Sequence, residues 1–152
     1  MKNHSSQRVT DILKSVERVN RGLRKLFQKT AADLELTAPQ LMLLTIIASK
    51  KETTQKQLGI ETQFPKSTLS QSIDALVQRE LLERYPVEGN RREMQLVLSE
   101  EGKSVMDSIH EQKGSYYTVL KEAVDGLSEQ QANLLLNSLS QIALFLEKEM
   151  KE

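Results

Sequence analysis

Apolar residues recur at steps of three and four through the first part of the chain, at Val9, Ile12, Leu13, Val16, Val19, Leu23, Leu26 and Phe27. That spacing places them in one stripe on a long helix, with Arg18, Arg21, Arg24 and Lys25 on the other face. Thr37 followed by Gln40 is a capping-box pattern, in which each side chain satisfies an orphan backbone N–H of the other. Leu36 and Leu41 take the staple positions around it, and Pro39 fits the first turn, where its missing N–H is not needed. Residues 41–48 are apolar nearly all round, which predicts a buried helix. Thr54 and Gln57 repeat the capping pattern for a short helix expected to stop near Gly59. After Pro65, the spacing of Leu69, Ile73, Leu76 and Val77 predicts a helix from about Lys66 to Arg79, with Lys66, Ser67, Ser70, Gln71 and Asp74 on its outer face.

The period then changes. Leu82 and Arg84, then Met94, Leu96 and Leu98, alternate as in short strands. The Gly-containing stretch from Pro86 to Arg92 separates them, so the pair reads as a β-hairpin. Ser99 is an N-cap for a helix carrying Val105, Ile109, Tyr116 and Leu120 and stopped by Gly126. Ser128 and Gln131 form a third capping box, ahead of a last helix with Leu135, Leu139, Ile142 and Leu146 in near-heptad steps and Leu134, Leu136, Phe145 and Met150 beside them. The fold class is mainly α with a small β-hairpin. A helix, a short helix, a polar helix and a hairpin follow one another in winged helix-turn-helix order. The expected organisation is an N-terminal helix (1–35), a winged helix-turn-helix lobe (36–99) and C-terminal helices (100–152), intertwined as one domain.

Composition narrows the chemistry. Hydrophobic residues are 38% and aromatics 4% of the 152, so the core is aliphatic. Six Gly and three Pro leave little room for an all-β fold. The absence of Cys removes disulfides, thiolate metal sites, Cys nucleophiles and thiol redox sensing, and is compatible with a cytoplasmic location. Residues 1–8 are polar, without the apolar run of a signal peptide, and residues 41–48 are far short of a bilayer span, which takes ~20 residues. The net charge is zero, but it is unevenly spread: residues 1–29 hold eight basic and two acidic side chains, residues 93–152 five and eleven. A neutral chain of this kind can carry a basic face. His4 and His110 are isolated and read as structural or surface residues, since a zinc site needs about four ligands. No Gly-rich phosphate loop or paired-carboxylate site occurs, so no catalytic residue, metal or cofactor is expected and the chain does not read as an enzyme.

A polar helix behind a short turn can enter the major groove, and a hairpin with a basic tip can lie along the adjacent minor groove. Four stretches in that arrangement resemble the MarR family of winged helix-turn-helix transcriptional regulators. They are LTAPQLMLLTIIA at 36–48, KSTLSQSIDALVQRELLERY at 66–85, the wing NRREMQLVLSEEG at 90–102, and the leucine-rich last helix. The family's wing reads Asp-x-Arg, an alternating strand, then Leu-Thr/Ser-x-x-Gly; here the matching positions are Asn90, Arg91, Arg92, Leu98, Ser99 and Gly102.

The resemblance implies a homodimer joined by its first and last helices, through Val9, Ile12, Leu13, Val16, Leu135, Leu139, Ile142 and Leu146. It implies a palindromic operator of double-stranded DNA read by Lys66, Ser67, Thr68, Ser70, Gln71, Asn90, Arg91 and Arg92, with Arg92 in the minor groove. It also implies a repressor that responds to a small lipophilic or phenolic effector held between the dimer helices and the lobe. Tyr116 and Tyr117 are candidates to line such a cavity, although Tyr116 also falls on the apolar stripe. Three positions depart from the pattern. Asn90 replaces Asp, so it can orient Arg92 by a hydrogen bond but not by a salt bridge. Gln71 replaces a common Arg, and Gln pairs with adenine, which favours an A·T-rich half-site. The stretch from Gly59 to Lys66 is about four residues longer than a usual turn of ~3–4. Asp74 would repel phosphate and is expected to make an internal contact; Tyr85 either packs the strand base or meets DNA. The alternative function is a winged-helix protein–protein interaction module without a DNA role, for which the paired arginines of the wing have no obvious use.

Overall fold

The computed structural model describes residues 2–151; Met1 and Glu152, the outermost residues of the expected terminal dimerisation segments, lie outside it. The elements are α1 (Lys2–Asp33), α2 (Ala38–Lys50), β1 (Glu52–Thr54), α3 (Gln55–Thr62), α4 (Lys66–Gln78), β2 (Leu82–Val87), β3 (Asn90–Leu98), α5 (Glu100–Glu111), α6 (Tyr116–Asp125) and α7 (Glu129–Met150). The strands form one antiparallel sheet in the order β1-β3-β2.

Helix α1 ends in a Schellman arrangement. The Leu36 N–H donates to the Ala31 carbonyl at 2.8 Å and the Glu35 N–H to the Ala32 carbonyl at 3.0 Å, with Glu35 left-handed at φ 57°. The chain turns through 96° into α2. There the capping box forms in both directions, Gln40 N–H to the Thr37 hydroxyl at 3.2 Å and Thr37 N–H to the Gln40 side chain at 3.0 Å. Leu41, Leu43, Leu44 and Ile47 of α2 are fully buried and meet Leu58, Ile73, Leu76, Leu82, Leu96 and Ile109 in a single aliphatic core. Each such side chain contributes about 1.5–3 kcal/mol by leaving water.

The structure corrects four expectations. Helix α3 does not stop at Gly59 but runs on to Thr62, where Gln63 turns left-handed at φ 54°. Gly59 lies inside the helix because α4 packs closely against it: an added Cβ would sit 3.3 Å from Leu69 Cδ2. The α3–α4 turn is therefore the three residues 63–65, and the chain has no long insertion there. The wing turn is tighter than the stretch from Pro86 to Arg92, being Glu88 and Gly89 alone, with Gly89 at φ 82°. The helix expected from Ser99 to Gly126 is two helices. Gly114 at φ 86° breaks it, and the Ser115 hydroxyl starts α6 by accepting from the Thr118 N–H at 3.2 Å. Finally, the hairpin gains a third strand, β1, through the register Thr53↔Leu96.

Among the described residues no single helix is long and apolar enough to cross a membrane.

Candidate nucleic-acid interface

Helix α4 is built by its two faces. Leu69, Ser72, Ile73 and Leu76 are buried against the core. Ser67, Gln71 and Asp74 lie on the opposite side and are exposed, as is Lys66 at its start; Thr68 and Ser70 are half-buried on the flanks. The Ser70 hydroxyl is approached by the Gln55 side-chain amide of α3 at 3.4 Å, which fixes the first helix of the pair against the second. On the outer face the Asp74 carboxylate accepts from the Arg84 guanidinium of β2 at 2.9 Å. Its negative charge is thereby partly neutralised beside the exposed polar groups.

The wing carries its two arginines in an irregular stretch: the register passes from Pro86↔Met94 to Val87↔Asn90, so Arg91, Arg92 and Glu93 have no partner on β2. Beyond it the strand alternates, with Met94, Leu96 and Leu98 on one face. The partner residues Leu82 and Arg84 on β2 occupy the face of Leu98 and Leu96. Arg84 reaches α4 from that face. The Asn90 side-chain oxygen accepts from the backbone N–H of Arg92 at 3.1 Å. Asn90 therefore shapes the backbone at the tip and leaves the guanidinium of Arg92 unheld. Lys66, Arg91 and Arg92 are exposed and make no ion pair among the described residues. Tyr85 is exposed and its hydroxyl donates to Glu83 at 2.7 Å, which raises its pKa; it does not pack the strand base.

Two further surfaces flank the lobe. The eight residues expected at a dimer contact are all exposed in the subunit, with Leu13 at 64% and Leu139 at 50%. Ile12 and Val16 face Leu135, Leu139 and Ile142 across an open groove of about 600 Å³, so α1 and α7 do not cover each other. A second groove of about 690 Å³ lies between α1, α2 and α6, lined by Leu23, Phe27, Met42, Phe64, Tyr116 and Leu120 with Arg24 and Glu17 at its polar side. The lining residues other than Tyr116 are missed by sequence reasoning, because they come from four separate segments. Tyr116 packs on Phe27 at 5.1 Å between ring centres, whereas Tyr117 stacks on His110 at 4.0 Å, away from the groove.

Residues 34–93, which hold all eight candidate DNA contacts, match the sequence profile of the MarR family. No curated protein matches the chain. Among solved structures, the fold is similar to that of a mutant MarR from E. coli complexed with operator DNA, with a TM-score of 0.68 at 20% identity over 88% of this chain and 94% of that one. A MarR transcriptional regulator from Methanosarcina mazei gives 0.72 at 20% over 93% and 98%. A MarR protein from Peptoclostridium difficile gives 0.74 at 17% over 91% and 89%. Identities this low speak for the fold, and the profile match speaks for the lobe. Residues 34–93 are thus similar to the MarR family over the lobe, and the chain as a whole shares the fold of these solved structures.

Proposed function

We propose that this protein is a sequence-specific DNA-binding transcription regulator that works in the cytoplasm as a homodimer. The dimer reads a palindromic, A·T-rich operator and represses by occupying it. The observation that carries the reading is the exposed polar face of α4, with Lys66, Ser67 and Gln71, tied through Arg84 and Asp74 to a hairpin whose tip exposes Arg91 and Arg92 without ion-pair partners among the described residues. One lobe then offers base-edge donors and acceptors for the major groove and a free guanidinium for the minor groove. Gln71 favours adenine and Arg92 a narrow A·T minor groove. Asn90 and Arg91 shape and charge the tip, and Thr68 and Ser70 line the flanks of α4.

The exposed stripes of α1 and α7 supply the dimer contact, through Val9, Ile12, Leu13, Val16, Leu135, Leu139, Ile142 and Leu146. A twofold axis through that contact places two α4 helices about 34 Å apart, one turn of DNA. The segments 1–35 and 100–152 thus serve dimerisation and 36–99 serves the operator. The α1–α2–α6 groove suits a small lipophilic or phenolic effector, since its walls are mostly apolar and aromatic.

The test is fluorescence anisotropy on a duplex selected from a random-sequence pool, across salt concentrations, with wild type and Arg92→Ala. Binding should be steeply salt-dependent. Arg92→Ala should weaken it by about 1–3 kcal/mol and flatten the salt slope by about one unit. A selected duplex held no tighter than random DNA would sink the reading.

A further inference from the structure

Helix α4 ends as α1 does, in a Schellman arrangement: the Leu81 N–H donates to the Leu76 carbonyl and the Glu80 N–H to the Val77 carbonyl, both at 3.0 Å. Arg79 is the C-cap residue of that end. Its guanidinium crosses to the end of α1 and donates to the Glu35 carbonyl at 2.7 Å and the Leu34 carbonyl at 3.3 Å. The Leu34 carbonyl is one that a Schellman end leaves unpaired and the Glu35 carbonyl follows it just past the helix, and α1 has no basic residue of its own in its last turn. Among the described residues, Arg79 is the only hydrogen-bonding side chain that joins the α1–α2 corner to α4. The other anchor of α1, the Thr30 hydroxyl accepting from the Tyr116 N–H at 2.9 Å, goes to α6.

The same corner is held from a third side. The Ser99 hydroxyl donates to the Glu80 carbonyl at 2.5 Å and the Ser99 N–H to the Leu81 carbonyl at 3.1 Å. Residues 79–81 are thus the point where α4, α1 and the start of α5 meet.

We propose that Arg79 is a positioning residue that sets the angle of α4 against α1, and thereby the half-site spacing that the dimer accepts. The inference rests on the function proposed above, in which α1 carries the dimer contact and α4 the operator contact. Its force comes from leverage. The start of α4 lies roughly 20 Å from Arg79, at 1.5 Å per residue. A swing of about 5° at the corner moves that start by about 2 Å, over half the ~3.4 Å between base pairs. One hydrogen bond would leave the swing free. Two carbonyls on a planar guanidinium fork fix it, which a lysine cannot reproduce.

The experiment compares wild type, Arg79→Ala and Arg79→Lys on the selected palindrome and on versions lengthened or shortened by one and two base pairs at the centre. Wild type should lose about a hundredfold in affinity when two base pairs are inserted, and Arg79→Ala less than about tenfold, with Arg79→Lys between them. A residue that merely stabilised the fold would lower the melting temperature and leave spacing discrimination intact, and that result overturns the proposal. A second readout needs no DNA. The absence of native Cys allows spin labels at Lys25→Cys on α1 and Gln71→Cys on α4, in labelled protein diluted into unlabelled. Arg79→Ala should broaden the α1–α4 distance distribution, with Arg79→Lys narrower. If wild type binds no selected DNA, the proposed function falls, and this width alone decides whether Arg79 clamps the angle; an unchanged width refutes the clamp.

Discussion

The Arg84 guanidinium donates to the Asp74 carboxylate at 2.9 Å, tying the outer face of α4 to the first strand of the wing. On the function proposed above, an acidic side chain on this face is costly unless paired, and this one is paired. With side chains 34% and 62% exposed, the ion pair contributes well under about 1 kcal/mol to stability. Its effect on DNA affinity is larger, because removing Arg84 leaves Asp74 bare against phosphate. Arg84→Ala should weaken operator binding by about 1–2 kcal/mol, and adding Asp74→Ala should recover most of that loss. A double-mutant cycle by anisotropy reads the coupling. Additive losses would show that Asp74 does not face the DNA.

Gly102 stands where no other residue fits. An added Cβ would lie 2.2 Å from the Leu81 carbonyl oxygen, a backbone atom that cannot step aside without moving the corner at residues 79–81. Gly102→Ala should cost roughly 1–3 kcal/mol by urea denaturation. A midpoint equal to that of wild type would contradict this packing.

Glu80 is the opposite case, a side chain where glycine would serve better. It is left-handed at φ 60°, a conformation costing a residue with a Cβ about 1–2 kcal/mol, partly offset by the entropy that glycine loses on folding. The part of Glu80 used at the corner is its carbonyl, which glycine retains. Glu80→Gly should therefore stabilise by about 0.5–1 kcal/mol, read as a rise in melting temperature, whereas Glu80→Ala should change little. Destabilisation by Glu80→Gly would mean that the Glu80 side chain makes a favourable contact.

Local signals were legible in the sequence where the physics is local. The Thr37–Gln40 and Ser128–Gln131 boxes mark the starts of α2 and α7 because the groups they satisfy lie within one turn. Gly59 misleads because its reason is tertiary: it makes room for Leu69 rather than turning the chain. Strand β1 is three residues long and gains its partner in β3 some 43 positions later, which no local pattern announces. The clamp is hidden for the same reason, since Arg79 serves carbonyls 44 and 45 residues before it. In the candidate interface, α4 and the wing residues follow from period and turn chemistry. The irregular pairing that leaves Arg91 and Arg92 without a β2 partner appears only in the observed register.

The faces of α1 and α7 give the last prediction. Leu139 and Ile142 are about half exposed in the subunit, at 50% and 47%, and line the open groove opposite Ile12 and Val16. Neither is in the aliphatic core, so replacing both by Glu should leave the helical circular dichroism and the folded lobe intact. A second copy that buries this groove would instead meet charges taken out of water, at several kcal/mol per uncompensated group. Leu139→Glu with Ile142→Glu should therefore raise the dimer dissociation constant by at least about a hundredfold, which is 2.7 kcal/mol. Sedimentation velocity at micromolar concentration would then show monomer, and operator affinity would fall with it, because one lobe alone grips one half-site. A double variant that sediments as wild type would place the dimer contact elsewhere on the surface.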